Sequence, residues 1–430
     1  MFLEWSVGNW ENCGLVPGAL FEESVSSGDR KYLRELAKSV VEITHLPVME
    51  ERRAMWRRHN RLERVRPMIL VFPEGAWREL LPGSAMRCKG HRARAYEWSL
   101  RQALYHHQYL HDDTVIEPHW VVRKQVQLSN WGLEPRRRPS AEPTGAWAFD
   151  PVILSPDDLD QLRPPVVTVD EQATQRELAL AHDLFGDILG VTLRGVGVIS
   201  FHLMAVYTAL RGLEQVMIDM LDAPDMVHRA MEILEEGYRQ IIAQYDALGL
   251  LNLNNDGEYH SSGGVTYSDE LPAEDYAGRP RLRDLWASAE AQEMAQVSPR
   301  MHAEFILPYE KRLLAPFGLN GYGCCEDLAR KLPDVLTIPR LRRVSIAPFA
   351  DVERCAEQLG DRCICSWKPM PAHLVGTFDE EHVRDYIRHA CEATRDGIVE
   401  IILKDTHTCE GRSERFTRWT DIAQDVVADY

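Results

Sequence analysis

Apolar and polar positions follow a repeating rhythm along most of this chain. From Arg66 onward, short aliphatic or β-branched runs are each followed by a longer stretch with helical spacing, the pattern of βα units around a parallel sheet. The runs fall at residues 68–72, 114–116, 196–199, 250–253, 319–322, 344–346, 362–365 and 398–403. Between them, Leu213, Val216, Met217, Met220 and Leu221 recur at i, i+3, i+4, i+7 and i+8, one face of a helix. Val227, Met231, Leu234, Tyr238, Ile241 and Tyr245 line a second helix, with Pro224 suited to its first turn. Asp379 is placed to cap a helix that carries Val383, Ile387 and Cys391.

Eight strands alternating with helices predict an α/β protein, a (β/α)8 TIM-type barrel over residues 61–430. An insertion follows the first strand, over about 75–190, and residues 1–60 read as an N-terminal helical arm with helices near 29–41 and 49–58. A doubly wound sheet normally carries a glycine-rich phosphate turn after its first strand. Phe72-Pro73-Glu74-Gly75 is not such a turn, so the barrel is preferred.

Composition narrows the partners. The 430 residues carry 49 Lys and Arg against 66 Asp and Glu, a net charge of −17. Such a surface repels phosphate backbones and anionic lipid, so neither nucleic acid nor membrane is an expected partner. The basic run Arg136-Arg137-Arg138 sits between prolines and reads as a loop tip. Mean hydropathy of −0.32 and no long uncharged apolar run argue against a transmembrane helix. Met1-Phe2-Leu3-Glu4-Trp5 lacks a basic segment leading into an apolar one, so no signal peptide is expected. Nine cysteines without framework spacing point to reduced thiols and a cytoplasmic location. A small-molecule substrate is expected, and a homodimer is left open.

In a barrel, chemistry sits where the strands end at their C-termini. After the 250–253 run come Asn252, Asn254, Glu258, Tyr259 and His260, followed by Ser261-Ser262-Gly263-Gly264. The asparagine amides share a strand face and suit a substrate; His260 is the acid–base candidate because imidazole titrates near neutrality. A polar surface loop accounts for the same residues. The fifth run ends in Tyr322-Gly323-Cys324-Cys325-Glu326, and the eighth in His407-Thr408-Cys409. Cys324, Cys325, His407 and Cys409 form a soft N/S set suited to zinc. Each cysteine also suits an apolar core. Cys363 and Cys365 share a strand face as small core residues, and Lys368 is placed to meet an anionic group.

The chain resembles the uroporphyrinogen decarboxylase superfamily, which also contains cobalamin-dependent methyltransferases. The resemblance spans about residues 60–428 and rests on Arg66-Pro67, on Arg211-Gly212 through Ala223-Pro224-Asp225-Met226-Val227-His228, on Phe317-Gly318 to Glu326, and on Cys409 before a last helix. It implies a (β/α)8 barrel with its site at the C-terminal mouth. The decarboxylase branch carries an arginine-bearing segment after the first strand. Here that stretch is Leu70-Val71-Phe72-Pro73-Glu74-Gly75, with no arginine before Arg78, so tetrapyrrole decarboxylation is not expected. The branch that activates thiols binds zinc through His-x-Cys after the fifth strand and a cysteine after the eighth. Cys324 and Cys409 match these cysteines, whereas Tyr322 stands in the histidine's place. The resemblance therefore implies one zinc, with Cys325, Glu326 or His407 supplying the missing ligand, and a corrinoid or corrinoid protein as methyl carrier. In this reading His260 and Glu258 serve catalysis, while Asn252, Asn254, Tyr259, Tyr322 and Lys368 contact substrate. The alternatives are a metal-independent decarboxylase or lyase of a small carboxylated substrate, or a non-catalytic corrinoid- or tetrapyrrole-binding protein.

Overall fold

The computed structural model describes residues 24–138, 140, 148–260 and 263–430; the N-terminal pentapeptide and Ser261-Ser262 discussed above lie outside them. Seven parallel strands form the central sheet: β1 (Met68–Val71), β2 (Ser200–Phe201), β3 (Trp286–Ala289), β4 (Leu319–Tyr322), β5 (Leu341–Ile346), β6 (Ile364–Trp367) and β7 (Ile398–Leu403). Their order is β1-β7-β6-β5-β4-β3-β2, so the last strand lies beside the first, with Met68 opposite Glu400 and Val71 opposite Leu403. Among the described residues the ladder does not return from β2 to β1. Alongside β1 runs the stretch after Asp113, whose N–H donates to the Ile69 carbonyl at 2.8 Å.

Five of the expected runs coincide with or overlap strands of this sheet. The others differ instructively. The 114–116 run passes beside β1 without becoming a named strand, and Val196 and Leu251 share a single parallel bridge. The strand that follows the 196–199 run occupies Ser200–Phe201. Strand β3 was not anticipated, because Trp286-Ala287-Ser288-Ala289 contains no β-branched residue. It is strand by position, buried between β2 and β4, where packing overrides propensity.

Side-chain alternation divides the sheet into two faces. Ile69, Val71, Ala287, Ala289, Tyr322, Val344, Ile346, Cys363, Cys365, Trp367, Val399, Ile401 and Leu403 join the apolar core with the covering helices. The intervening positions form an inner face that carries Trp286, Ser288, Arg343, Ser345, Ser366 and Glu400. The end of helix Pro47–Asn60 reaches this face: His59 and Asn60 bond Glu400 and Arg343, and the Asn60 amide donates to the carbonyls of Val265 and Tyr267.

The helices expected near 29–41 and 49–58 occupy Ser27–Thr44 and Pro47–Asn60. The first is capped by Ser26, whose hydroxyl accepts from the Asp29 N–H. Its buried Leu33, Ala37 and Val40 pack with Tyr96, Leu100, Trp120, Leu184 and Phe185 into a second core built partly by the 75–190 segment. No described helix is long and apolar enough to cross a membrane.

Candidate functional site

Because all seven strands are parallel, their C-terminal ends lie on one side. The residues following them are Phe72 to Glu74, His202, Glu290, Cys324 to Glu326, Lys368, and Lys404 with Asp405. Two groups form there.

The first is built around sulfur. Cys324 Sγ and Cys325 Sγ lie 3.5 Å apart, and Cys325 Sγ is 3.8 Å from Asp405 Oδ2. The chain turns sharply to bring both thiols to one place: Gly323 has φ +86°, and the Glu326 carboxylate accepts from the Cys324 N–H at 2.8 Å. Ser345 on β5 anchors the turn by donating to the Cys324 carbonyl at 2.6 Å. The Lys404 ammonium is 3.2 Å from Asp405 Oδ1, and the Asp405 N–H donates to Glu74 Oε2 at 3.0 Å. With Cys324 donating to Cys325, the proton is held on Cys324, whose thiol is pushed up, and Cys325 is drawn down toward thiolate. Nearby Lys404 favours the anion at both sulfurs. Burial works against the Lys404 charge, but Tyr259, Cys324, Asp405 and Cys325 outweigh it and raise its pKa. Burial raises Glu74 and Glu326, favouring their protonated forms.

The second group is built around imidazole. His202 Nδ1 bonds Glu290 Oε1, joining the ends of β2 and β3. Glu290 Oε2 in turn accepts the Gln292 N–H at 3.0 Å. Sequence reasoning missed both residues. His202 follows a strand of only two residues, and Glu290 follows the strand with no β-branched signal. Lys404, Asp405 and Glu74 also escaped singling out, since nothing local distinguishes them in so acidic a chain.

The expected site residues separate under this geometry. Cys324 and Cys325 lie together at the strand ends. Tyr259 lies beside them: its ring centroid is 4.6 Å from that of Phe72, it acts on Lys404, and its buried hydroxyl has no hydrogen-bond partner among the described residues. Lys368 is near the same group, with its ammonium on the Ser366 hydroxyl at 2.8 Å; burial lowers it to about 8.

Cys409 turns elsewhere. Its thiol donates to Glu79 Oε2 at 3.1 Å and is pushed up to about 12 by burial and by that carboxylate. His407 is exposed. Tyr322 points to the helix side of the sheet, its hydroxyl donating to Glu310 Oε2 at 2.7 Å and lying 2.8 Å from His302 Nε2. Strand alternation explains this: Tyr322 lies opposite Val344 of β5, on the face that packs against the helices, and the chain leaves strand geometry only at Gly323.

The asparagine-rich segment has structural partners. The Asn254 amide donates to the carbonyls of Gly197 and Trp286 and its oxygen accepts the Trp286 N–H, so a ligand is not needed to satisfy it. Asn252 donates to the Leu253 carbonyl and lines a cavity of about 740 Å³ with Tyr276 and Pro280. Glu258 is held by Arg123 at 3.0 Å and Arg194 at 3.4 Å. His260 Nε2 is 3.0 Å from the Ala287 carbonyl, and burial lowers the ring to about 3, so it does not titrate near neutrality as the sequence led one to expect.

Comparison with known proteins adds little to this geometry. No family model matches the chain, and no curated protein does. Among solved structures, a methyltransferase from Methanosarcina mazei superposes with a TM-score of 0.48 at 12% identity, covering 86% of this chain and 97% of that one.

Proposed function

We propose that this chain is an enzyme that moves a methyl group between a corrinoid, or a protein carrying one, and a small acceptor such as a thiol. The scaffold in this reading is a (β/α)8 barrel, with the chemistry at the strand ends. The observation that carries the proposal is the Cys324–Cys325 pair, held 3.5 Å apart beside Lys404 and Asp405. A thiol pair in which Cys324 holds the proton and Cys325 is drawn toward the anion is a soft centre, of the kind that binds zinc or handles an electrophilic carbon. The corrinoid, when bound, supplies that carbon.

The zinc set implied by the resemblance does not fit as a set. Cys324 and Cys325 suit two positions, and Asp405 Oδ2 lies 3.8 Å from Cys325 Sγ. Cys409 is engaged with Glu79 and His407 faces solvent. Among the described residues no three His, Cys, Asp or Glu side chains converge as a metal-binding group. The roles assigned to the chain are therefore those of its own side chains. Lys404 favours negative charge at the sulfurs, Glu74 and Glu326 fix the backbone of Asp405 and Cys324, and Tyr259 and Phe72 pack beside the site.

The test joins metal content to methyl transfer, using methylcobalamin and 2-mercaptoethanol on the unaltered protein, Cys325→Ser and Cys409→Ser. The proposal expects transfer that falls at least about 10²-fold in Cys325→Ser and changes little in Cys409→Ser. Zinc lost from Cys325→Ser alone assigns the metal to the thiol pair; zinc lost from Cys409→Ser restores the wider ligand set. Absence of transfer by the unaltered protein overturns the proposal.

A second reading, a metal-independent decarboxylase or lyase, draws on Lys368. Lowered to about 8 by burial, its amine is partly neutral near physiological pH and suited to attack a carbonyl. Borohydride trapping of a carbonyl substrate on Lys368 would favour that reading.

A further inference from the structure

His202 and Glu290 belong to neither the thiol pair nor any residue set anticipated from the sequence. They follow β2 and β3 directly, on the side of the sheet where Cys324 and Cys325 follow β4. The His202 side chain is 38% exposed and Glu290 is 5% exposed. One imidazole nitrogen is thus fixed by a buried carboxylate while the ring keeps access to solvent. Glu290 is itself pinned by the Gln292 N–H at 3.0 Å, and the His202 backbone N–H lies 3.4 Å from the Tyr238 hydroxyl. A surface ion pair would not need a carboxylate buried and held at both oxygens. This is the arrangement of a base with its orienting group: Nδ1–H donates to the carboxylate, which sets the tautomer and leaves Nε2 as the proton acceptor.

We propose that His202, oriented by Glu290, is the base that removes the proton from the acceptor in the reaction at this mouth. The inference rests on the methyl-transfer reading above. In the step, an acceptor R–SH gives its proton to His202 Nε2, and its sulfur lone pair forms the new C–S bond. The bond between carbon and carrier breaks with its electron pair left on the carrier, and His202 later returns its proton to water.

The groups acting on His202 are Glu290 through the hydrogen bond, Glu293 and Cys324 through charge, and the Tyr238 hydroxyl on helix Pro224–Ala247 at its backbone. Burial disfavours the imidazolium, but Glu290 above all, with Glu293, outweighs it, so the His202 pKa is raised from the ordinary imidazole value. The acidic limb of the rate profile should therefore move down in Glu290→Gln.

The experiment compares two acceptors with methylcobalamin as donor: 2-mercaptoethanol, protonated at neutral pH, and thiophenol, largely ionised there. His202→Gln should slow transfer to 2-mercaptoethanol by about 10²-fold or more, the usual contribution of a general base, and leave thiophenol within about threefold. Glu290→Gln should show the same preference more weakly, with the shifted acidic limb. The thiophenol rate serves as the control for folding. Equal loss with both thiols, or no loss with either, overturns the role of His202 while leaving the function standing. No transfer by the unaltered protein to either thiol overturns the methyl-transfer reading and this inference with it.

Discussion

Arg343 and Glu400 meet on the inner face of the sheet, Nη2 to Oε2 at 2.9 Å and Nε to Oε1 at 3.0 Å, with both side chains wholly shielded from solvent. The pair comes from β5 and β7 and is closed by His59 and Asn60 from the N-terminal helices. Removing one partner leaves the other charged and buried, which costs about 3–5 kcal/mol, whereas an apolar replacement of both can be nearly neutral. Glu400→Gln should therefore lower unfolding free energy by about that amount in urea titrations, and Arg343→Met with Glu400→Leu by much less than the sum of the single changes. Burial alone would raise the Glu400 pKa, but Arg343, His59 and Ser366 overturn this and hold it well below the usual carboxylate range. Its contribution is thus present above the unfolded pKa and fades as pH falls through the folded one.

Cys325 should be the most reactive thiol among the described cysteines. Its neighbour donates to it and Lys404 stabilises its anion, whereas burial pushes Cys365 and Cys391 up to about 12. At neutral pH, iodoacetamide followed by peptide mass spectrometry should label Cys325 at least about 10-fold faster than Cys365. Cys324→Ala should slow that labelling because the donor is gone, and Cys324→Ser should preserve it because a hydroxyl still donates. Equal rates in the two variants would show that the pair is not coupled.

The fate of the sequence reading turns on range. The 68–72 and 398–403 runs are legible because aliphatic residues declare a strand locally. Trp286–Ala289 is not, since only its place between two strands makes it one. The thiol pair was likewise visible as a strand-end cluster. Asn254 and Glu258 looked like ligand contacts because their partners, Trp286 and Arg123, lie 32 and 135 residues away in the chain. His202 and Glu290 are 88 residues apart, and no local pattern joins them.

Two buried histidines should make the protein acid-sensitive well above the carboxylate range. Burial lowers His260 and His302 to about 3, so both stay neutral in the folded state. In the unfolded chain they take protons near the ordinary imidazole value of about 6.5. Their contribution to stability is complete above that pH and declines below it, by about 1.4 kcal/mol per pH unit for each. Urea unfolding at successive pH values from neutral downward should show this slope, and His302→Gln should remove one proton's share of it. A slope unchanged by His302→Gln would mean that its ring is charged in the folded protein.

Gly264 separates the two costs of a left-handed glycine. Its φ is +55°, and a Cβ there would sit 2.3 Å from Glu400 Oε2 and 2.4 Å from Arg343 Nη2, atoms locked in the buried pair. Gly376 has a similar φ of +66° with no atom of the described residues within 4 Å of the added carbon. Gly376→Ala should therefore cost only the backbone strain, about 1–2 kcal/mol. Gly264→Ala adds the displacement of an ion pair that cannot relax into solvent, so its cost should exceed that of Gly376→Ala by about 2 kcal/mol or more. Restoring space from the other side tests the cause: Glu400→Ala should be less damaging in the Gly264→Ala background than in the unaltered protein. Simple additivity would mean that the backbone at Gly264 moves away without disturbing Arg343 and Glu400.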